Sequence, residues 1–273
     1  MASEARAWET NGRSAVQASA MALFLGVAVA ASAAELRFVA PDIPPHFEPG
    51  EKGRIGEPLA LALAQCGHRA RLELLPFGRH WKTYAEDARY DALATAEGDQ
   101  RFPGFSTEPF MHLQDGATVL VHGGMGEVGN VSELEGKRVI AFPDARKILG
   151  IDALVPRFAS YIELGDRYDQ LRPLFAGRID AVLADGLITA RFINGMRADA
   201  QREKAVGIDP AIEVRFRRLF APGPQRLYFR AEPMARDFDR CWKALVATGE
   251  AARIAEKYIQ PYRSILADQY PVL

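Results

Sequence analysis

The chain has 273 residues, 48% of them hydrophobic and 25% charged, which is the composition of a globular protein. A formal charge of −1 leaves no basic footprint for nucleic acid or an anionic membrane surface. His46, His68, His80, His112 and His122 form no pair at metal-ligand spacing with cysteine or acid support, and neither a nucleophile elbow nor a zinc-protease motif occurs. No metal, cofactor or catalytic residue is therefore expected.

Arg13 precedes an apolar run, Ala20 to Ala30, and the small residues Ala31-Ser-Ala-Ala34 follow. This is the pattern of a cleaved secretory signal over residues 1–34, too short and alanine-rich for a permanent span. Glu4 and Glu9 are foreign to such a leader and point to a later translation start. No cysteine stands at the cleavage site, which argues against a lipid anchor.

Leu36 to Ala40 reads as a strand, followed by a proline-rich loop. A helix runs from about Glu57 to Cys66, with Pro58 in its first turn and Gly67 as its stop. Arg71 to Leu75 alternates as a strand, Arg79 to Ala88 as a helix, and Asp91 to Ala96 as a third strand. This βαβαβ order predicts a parallel sheet with helices on its faces. Ala117 to His122 is a further strand, after which the pattern restarts. The strands Lys137–Phe142, Tyr161–Leu164 and Ile179–Ala184 alternate with helices from Asp144, from the cap Asp166 to Gly177, and from Leu187 to Met196. Val214–Phe220 and Leu227–Arg230 are strands around the breaker Ala221-Pro-Gly-Pro224. Two helices finish the chain, the first with Met234, Phe238, Cys241, Trp242 and Leu245 on one face.

Two stretches echo each other. Arg89-Tyr-Asp-Ala opens a strand that leads towards Arg101, and Arg178-Ile-Asp-Ala opens one that ends on Asp185. Two similar halves presenting opposite charges from strand ends suggest a clamp for a small zwitterion or anion. The expected architecture is α/β and two-lobed, with 35–121 plus 224–273 as one lobe and 122–223 as the other. Two crossings, near His122 and near Pro222, would join them, and a ligand would lie in the cleft at the strands' carboxyl ends.

With these residues in view, the sequence resembles the bacterial extracellular solute-binding proteins of the polar-amino-acid type, family 3. The resemblance runs through Leu36-Arg-Phe-Val-Ala-Pro-Asp42, Tyr90-Asp-Ala with Arg101 and Phe105-Ser-Thr-Glu-Pro-Phe110, Leu134-Glu-Gly-Lys-Arg-Val139, Phe175 to Asp185, and Ala252 to Tyr258. It implies a type II-like periplasmic binding fold, each lobe a mostly parallel sheet flanked by helices. It also implies a monomer that delivers a small amino-acid-like ligand to a membrane ABC permease. By the same resemblance Arg101 takes the ligand carboxylate, Asp185 its ammonium, and Asp42 lines the cleft, with Phe47, Trp81, Thr95, Ala96 and Arg146 as further wall residues.

The departures are local. The loop before Arg101 reads Thr95-Ala-Glu-Gly-Asp-Gln where the family usually carries small hydroxyl residues, and it is two residues shorter. His46 or Phe47 stands where a stacking tyrosine is usual, and Pro143-Asp-Ala-Arg146 replaces Gly-Thr-Thr. Gly124-Met-Gly-Glu-Val-Gly129 matches a dinucleotide fingerprint, but too little chain follows it for the required helix. Cys66 and Cys241 read equally as buried thiols or a bridge; the resembling fold, packing its C-terminal helices on the first lobe, implies the bridge. Two other functions fit the same fold: a dehydratase-like enzyme with Glu97 or Glu108 as its acid, and an accessory protein of a periplasmic redox enzyme. A receptor's sensor domain is disfavoured, since no membrane span follows residue 230.

Overall fold

The computed structural model describes residues 34–97, 100–122 and 127–273. The expected signal segment, Ala34 aside, and part of the 124–129 glycine run lie outside the described residues. The first unit comprises β1 (Ala34–Pro41), α1 (Gly56–Gln65), β2 (His68–Leu75), α2 (Arg79–Glu86) and β3 (Ala92–Glu97). Two short strands, β4 (Phe105–Ser106) and β5 (Met111–Leu113), precede β6 (Asp115–Leu120). The second unit holds β7 (Arg138–Ala141), α3 (Ala145–Ile148), β8 (Ser160–Glu163), α4 (Arg167–Phe175), β9 (Ala181–Asp185), α5 (Gly186–Ala198), α6 (Ala200–Ala205) and β10 (Val214–Arg218). The chain closes with β11 (Gly223–Phe229), α7 (Glu232–Ala247), α8 (Glu250–Ile259) and α9 (Arg263–Leu266). No helix among the described residues is long and apolar enough to cross a membrane.

Two sheets result, ordered β2-β1-β3-β11-β4 with β5 on β11, and β10-β6-β9-β7-β8. In each, three parallel strands are followed by an antiparallel one contributed from beyond the unit: β11 against β3, β6 against β9. The echoing Arg-x-Asp-Ala segments occupy equivalent places, and the reason is visible. The Asp91 carboxylate accepts the Arg37 amide at 2.8 Å while Asp91 donates its own amide to the Arg37 carbonyl at 2.9 Å. Asp180 does the same with Arg138, at 2.8 and 2.9 Å. Each aspartate closes backbone groups at the start of its lobe's central strand, so a buried ladder begins with its polar groups satisfied.

Two expectations about the lobes need correction. The strand after β5 belongs wholly to the second sheet, pairing Asp115 with Asp185 and Leu120 with Val214. The chain therefore changes sheets at Gln114, ahead of His122. Residues Gly116 to Val119 are all buried, and a strand covered on both faces carries no alternation to show which lobe owns it. The C-terminus is also shared: α7 and α8 cover the first lobe, but Ile265, Leu266 and Tyr270 join the second lobe's core. The last residues return to the first lobe. There the fully buried Arg54 donates to the carbonyls of Pro271 and Val272, both at 3.0 Å, and of His112 at 2.9 Å. A third tie thus spans the lobes besides the two crossings.

On the outer face of the first lobe, Cys66 at the end of α1 is bonded to Cys241 of α7, with a Cα–Cα distance of 6.1 Å. The amphipathic face of α7 places Phe238, Cys241, Trp242 and Leu245 inward, so the disulfide extends an apolar contact already made.

Candidate functional site

A cleft of about 660 Å³ opens between the lobes. Glu97 at the end of β3, Gln100, Leu113, Asp115 at the start of β6, and Gln225 on β11 line one side. Lys147, Ile148 and Leu149 at the end of α3 line the other, with the return connection Phe220–Pro224 between. Behind it lies a recess of only about 30 Å³, where Glu97 and Asp115 meet Arg167, Asp185, Ile43 and Ile188. Phe77 of the first lobe and Phe142 of the second touch edge to face across this recess, their centroids 6.2 Å apart.

Asp185 is buried beside the sheet crossing. One oxygen accepts the amides of Leu187 and Ile188, both at 2.9 Å, capping α5, and also faces His46 Nε2 at 3.1 Å. The other accepts the Gln114 amide at 3.0 Å and the Tyr270 hydroxyl at 2.6 Å. A carboxylate offers about four lone-pair positions, and these partners fill them. Burial holds the His46 pKa below its ordinary value, against the pull of Asp185. Since the carboxylate only accepts, the imidazole proton sits on Nε2. Burial alone would raise Asp185, but His46, Tyr270 and the Ile188 amide together hold it below the usual carboxylate range. Gly186 follows because a Cβ there would stand 2.7 Å from the Phe216 ring.

The remaining expected ligand residues are dispersed. Arg101 is exposed, turned back to the Gln100 carbonyl at 3.3 Å, and lines neither the cleft nor the recess. The structure does not bring Arg101 and Asp185 into one clamp. Asp42 is exposed, and Phe47 is fully buried in the first lobe's core. Trp81 donates its indole N–H to the Thr95 carbonyl at 2.9 Å and packs on Phe77, so it supports the cleft wall from behind. Thr95 and Ala96 are buried at a bulge between β3 and β11, where Thr95 takes φ 61°. Arg146 is exposed and paired with Asp152 at 2.7 Å. The Pro143–Arg146 turn that could have received a ligand carboxylate is already occupied. Glu163 accepts the amides of Asp144 and Arg146, both at 2.8 Å.

The fold is that of the two-lobed periplasmic binding proteins. A histidine kinase sensor domain with similarity to periplasmic binding proteins superposes with a TM-score of 0.64, at 14% identity, covering 84% of this chain and 97% of that one. An ancestral arginine-binding protein bound to arginine gives 0.63, at 12% identity over 83% and 99%. The GluR0 ligand-binding core from Nostoc punctiforme, in complex with L-glutamate, gives 0.60, at 14% over 83% and 100%. No protein-family model matches the sequence, and no curated protein matches it.

Within this fold the charged residues of the cleft are mainly ones that sequence reasoning passed over. Burial raises the Glu97 carboxyl to about 7, the nearby Asp185 adding to the shift. Asp115 is pushed well above the carboxylate range by burial, then by Asp185 and Glu97, with Arg167 opposing. Glu97 enters the sequence reading only as an acid of the alternative enzyme, and Asp115 and Arg167 carry no motif that would single them out. Only the sheet crossing turns them inward. Glu108, by contrast, is exposed and bonded through its amide to Asp239 at 3.1 Å, away from the cleft.

His80, behind Trp81 and Phe77, is fully buried without a well-formed hydrogen bond to either ring nitrogen. Burial lowers its pKa to about 4. The unfolded chain, with His80 near 6.5, takes up the proton first. This contribution is thus complete above pH 6.5 and lost as pH falls towards 4. Acidification to pH 4.5 is expected to cost about 2.5 kcal/mol through His80, and His80→Leu should remove that component from the urea-midpoint difference between pH 7 and 4.5. An unchanged difference in the variant would show that other groups carry the acid sensitivity.

Proposed function

We propose that this chain is a periplasmic solute-binding protein that holds a small polar ligand between its lobes and presents it to a membrane ABC permease. The observation that carries this reading is the cleft of about 660 Å³ at the carboxyl end of β3, walled by both lobes and backed by the recess at the end of β9. That volume suits a small molecule, and ligands of open α/β sheets bind at this end. Fold neighbours solved with arginine and with glutamate support a ligand of amino-acid size. The apolar run at residues 20–30 and the Cys66–Cys241 bond support an exported protein, since disulfides persist in oxidising compartments.

Mechanistically the lobes rotate about the crossings at Gln114 and Phe220, with Asp185 as the pivot that keeps α5 registered to the first lobe. A ligand drives closure only through contacts that it makes better in the closed state. Each charge-assisted hydrogen bond in the cleft contributes about 1.5–3 kcal/mol, so several, with apolar burial against Leu113, Ile148 and Leu149, reach micromolar affinity. Native mass spectrometry of the protein purified from periplasm is expected to show a small-molecule adduct that leaves on denaturation. Bare protein, together with no thermal shift from any member of a metabolite panel, would refute the reading.

A further inference from the structure

Resting on the solute-binding reading, we infer that the cleft selects a small organic cation, an amine or amidine that needs no carboxylate, held by Glu97, Asp115 and Gln225. Gln225 is fully buried on β11 and lines the cleft, its amide beside the Glu97 carboxyl. Its Nε2 donates to the Gly223 carbonyl at 3.2 Å, while its Oε1 has no hydrogen-bond partner. A buried acceptor left unpaired is costly, and an N–H donor from a ligand would relieve it while leaving Glu97 ionised. Glu97 and Asp115 line the same cleft and ask for the same chemistry, with Arg167 of the recess behind them as the cation that acts on Asp115. Three acceptors on one wall match a ligand rich in N–H donors.

The positions that would receive an anion are closed or turned away. Arg101 faces solvent, Glu163 occupies the α3 turn, and Arg167 is half-buried in the recess, its charge set against Asp185 and Asp115 and one nitrogen donating to Gln170 Oε1 at 3.3 Å. Asp185 is saturated by protein donors, so it offers nothing further to an ammonium group. Lys147, exposed on the facing wall, is the remaining cleft cation. Burial keeps Glu97 near half protonation at neutral pH, with Asp115, Asp185, Arg167 and Lys147 as the surrounding charges. A bound cation favours the ionised form, so binding should strengthen as pH rises through 7.

The test is calorimetric titration of the mature protein, stripped by denaturation and refolding, with agmatine, 1,4-diaminobutane, succinate, L-glutamate and calcium chloride. Agmatine or diaminobutane is expected to bind, about tenfold more weakly at pH 6 than at pH 8. Glu97→Gln should weaken that binding at least tenfold and reduce its pH dependence to what Asp115 contributes, while circular dichroism shows the parent fold. Lys147→Met removes a like charge from the facing wall and should tighten amine binding; weaker amine binding in that variant would overturn the inference. Tighter binding of succinate, glutamate or calcium than of either amine also overturns it. If native mass spectrometry shows a ligand yet both amines fail, the inference falls and the solute-binding reading stands; if neither experiment shows a ligand, both fall.

Discussion

Asp185→Ala is expected to destabilise the protein by about 3–5 kcal/mol, because protein donors saturate this buried carboxylate. The substitution removes the α5 cap, which by itself is worth about 0.5–2 kcal/mol. It also strands the Gln114 amide, the His46 Nε2–H and the Tyr270 hydroxyl in a buried site, and each buried donor left unpaired costs about 1–3 kcal/mol. Some of these groups will find water at the crossing, which keeps the total below their sum. Asp185→Asn retains one acceptor but turns an NH₂ group towards donors, so an intermediate loss is expected. Urea denaturation followed by circular dichroism measures both variants. A loss below about 1 kcal/mol for the alanine variant would show that the network is not what joins α5 to the first lobe. The same carboxylate sets a pH limit. Its folded pKa is depressed, so its contribution is complete above the unfolded value of about 3.9 and fades as pH falls through the folded one.

Opening the Cys66–Cys241 bond is expected to lower stability by up to about 5 kcal/mol, the chain-entropy value for closing a loop of 175 residues. The effect acts on the unfolded chain: α1 and α7 keep their apolar contact in the folded protein, while the reduced chain gains freedom on unfolding. The disulfide lies on the helical face of the first lobe rather than in the cleft, so ligand affinity should be unchanged by it. Urea midpoints with and without reductant, repeated for Cys66→Ser, measure the contribution. Equal midpoints, or two titratable thiols in denatured protein never exposed to reductant, would overturn the assignment.

The amino-acid sequence by itself determined the order of elements and the two-lobed architecture, because both rest on local signals. Asp166 caps α4, accepting the Asp169 amide at 3.0 Å, and Gly177 ends that stretch at φ 65°. The buried face of α7 follows its apolar spacing, and the two Arg-x-Asp-Ala segments sit at matching strand starts because each aspartate closes backbone groups within its own lobe. Only the tertiary structure decided what those elements hold between them. Whether Asp185 is free or saturated depends on His46 and Tyr270, which lie 139 and 85 residues away and carry no motif. Asp115 becomes a cleft acid because a strand buried on both faces changes sheets just before it, and Arg101 leaves the cleft although its strand ends where expected. Periodicity and caps are set by neighbours a few positions apart, whereas the charge of a cleft is a sum over side chains that only folding brings within reach.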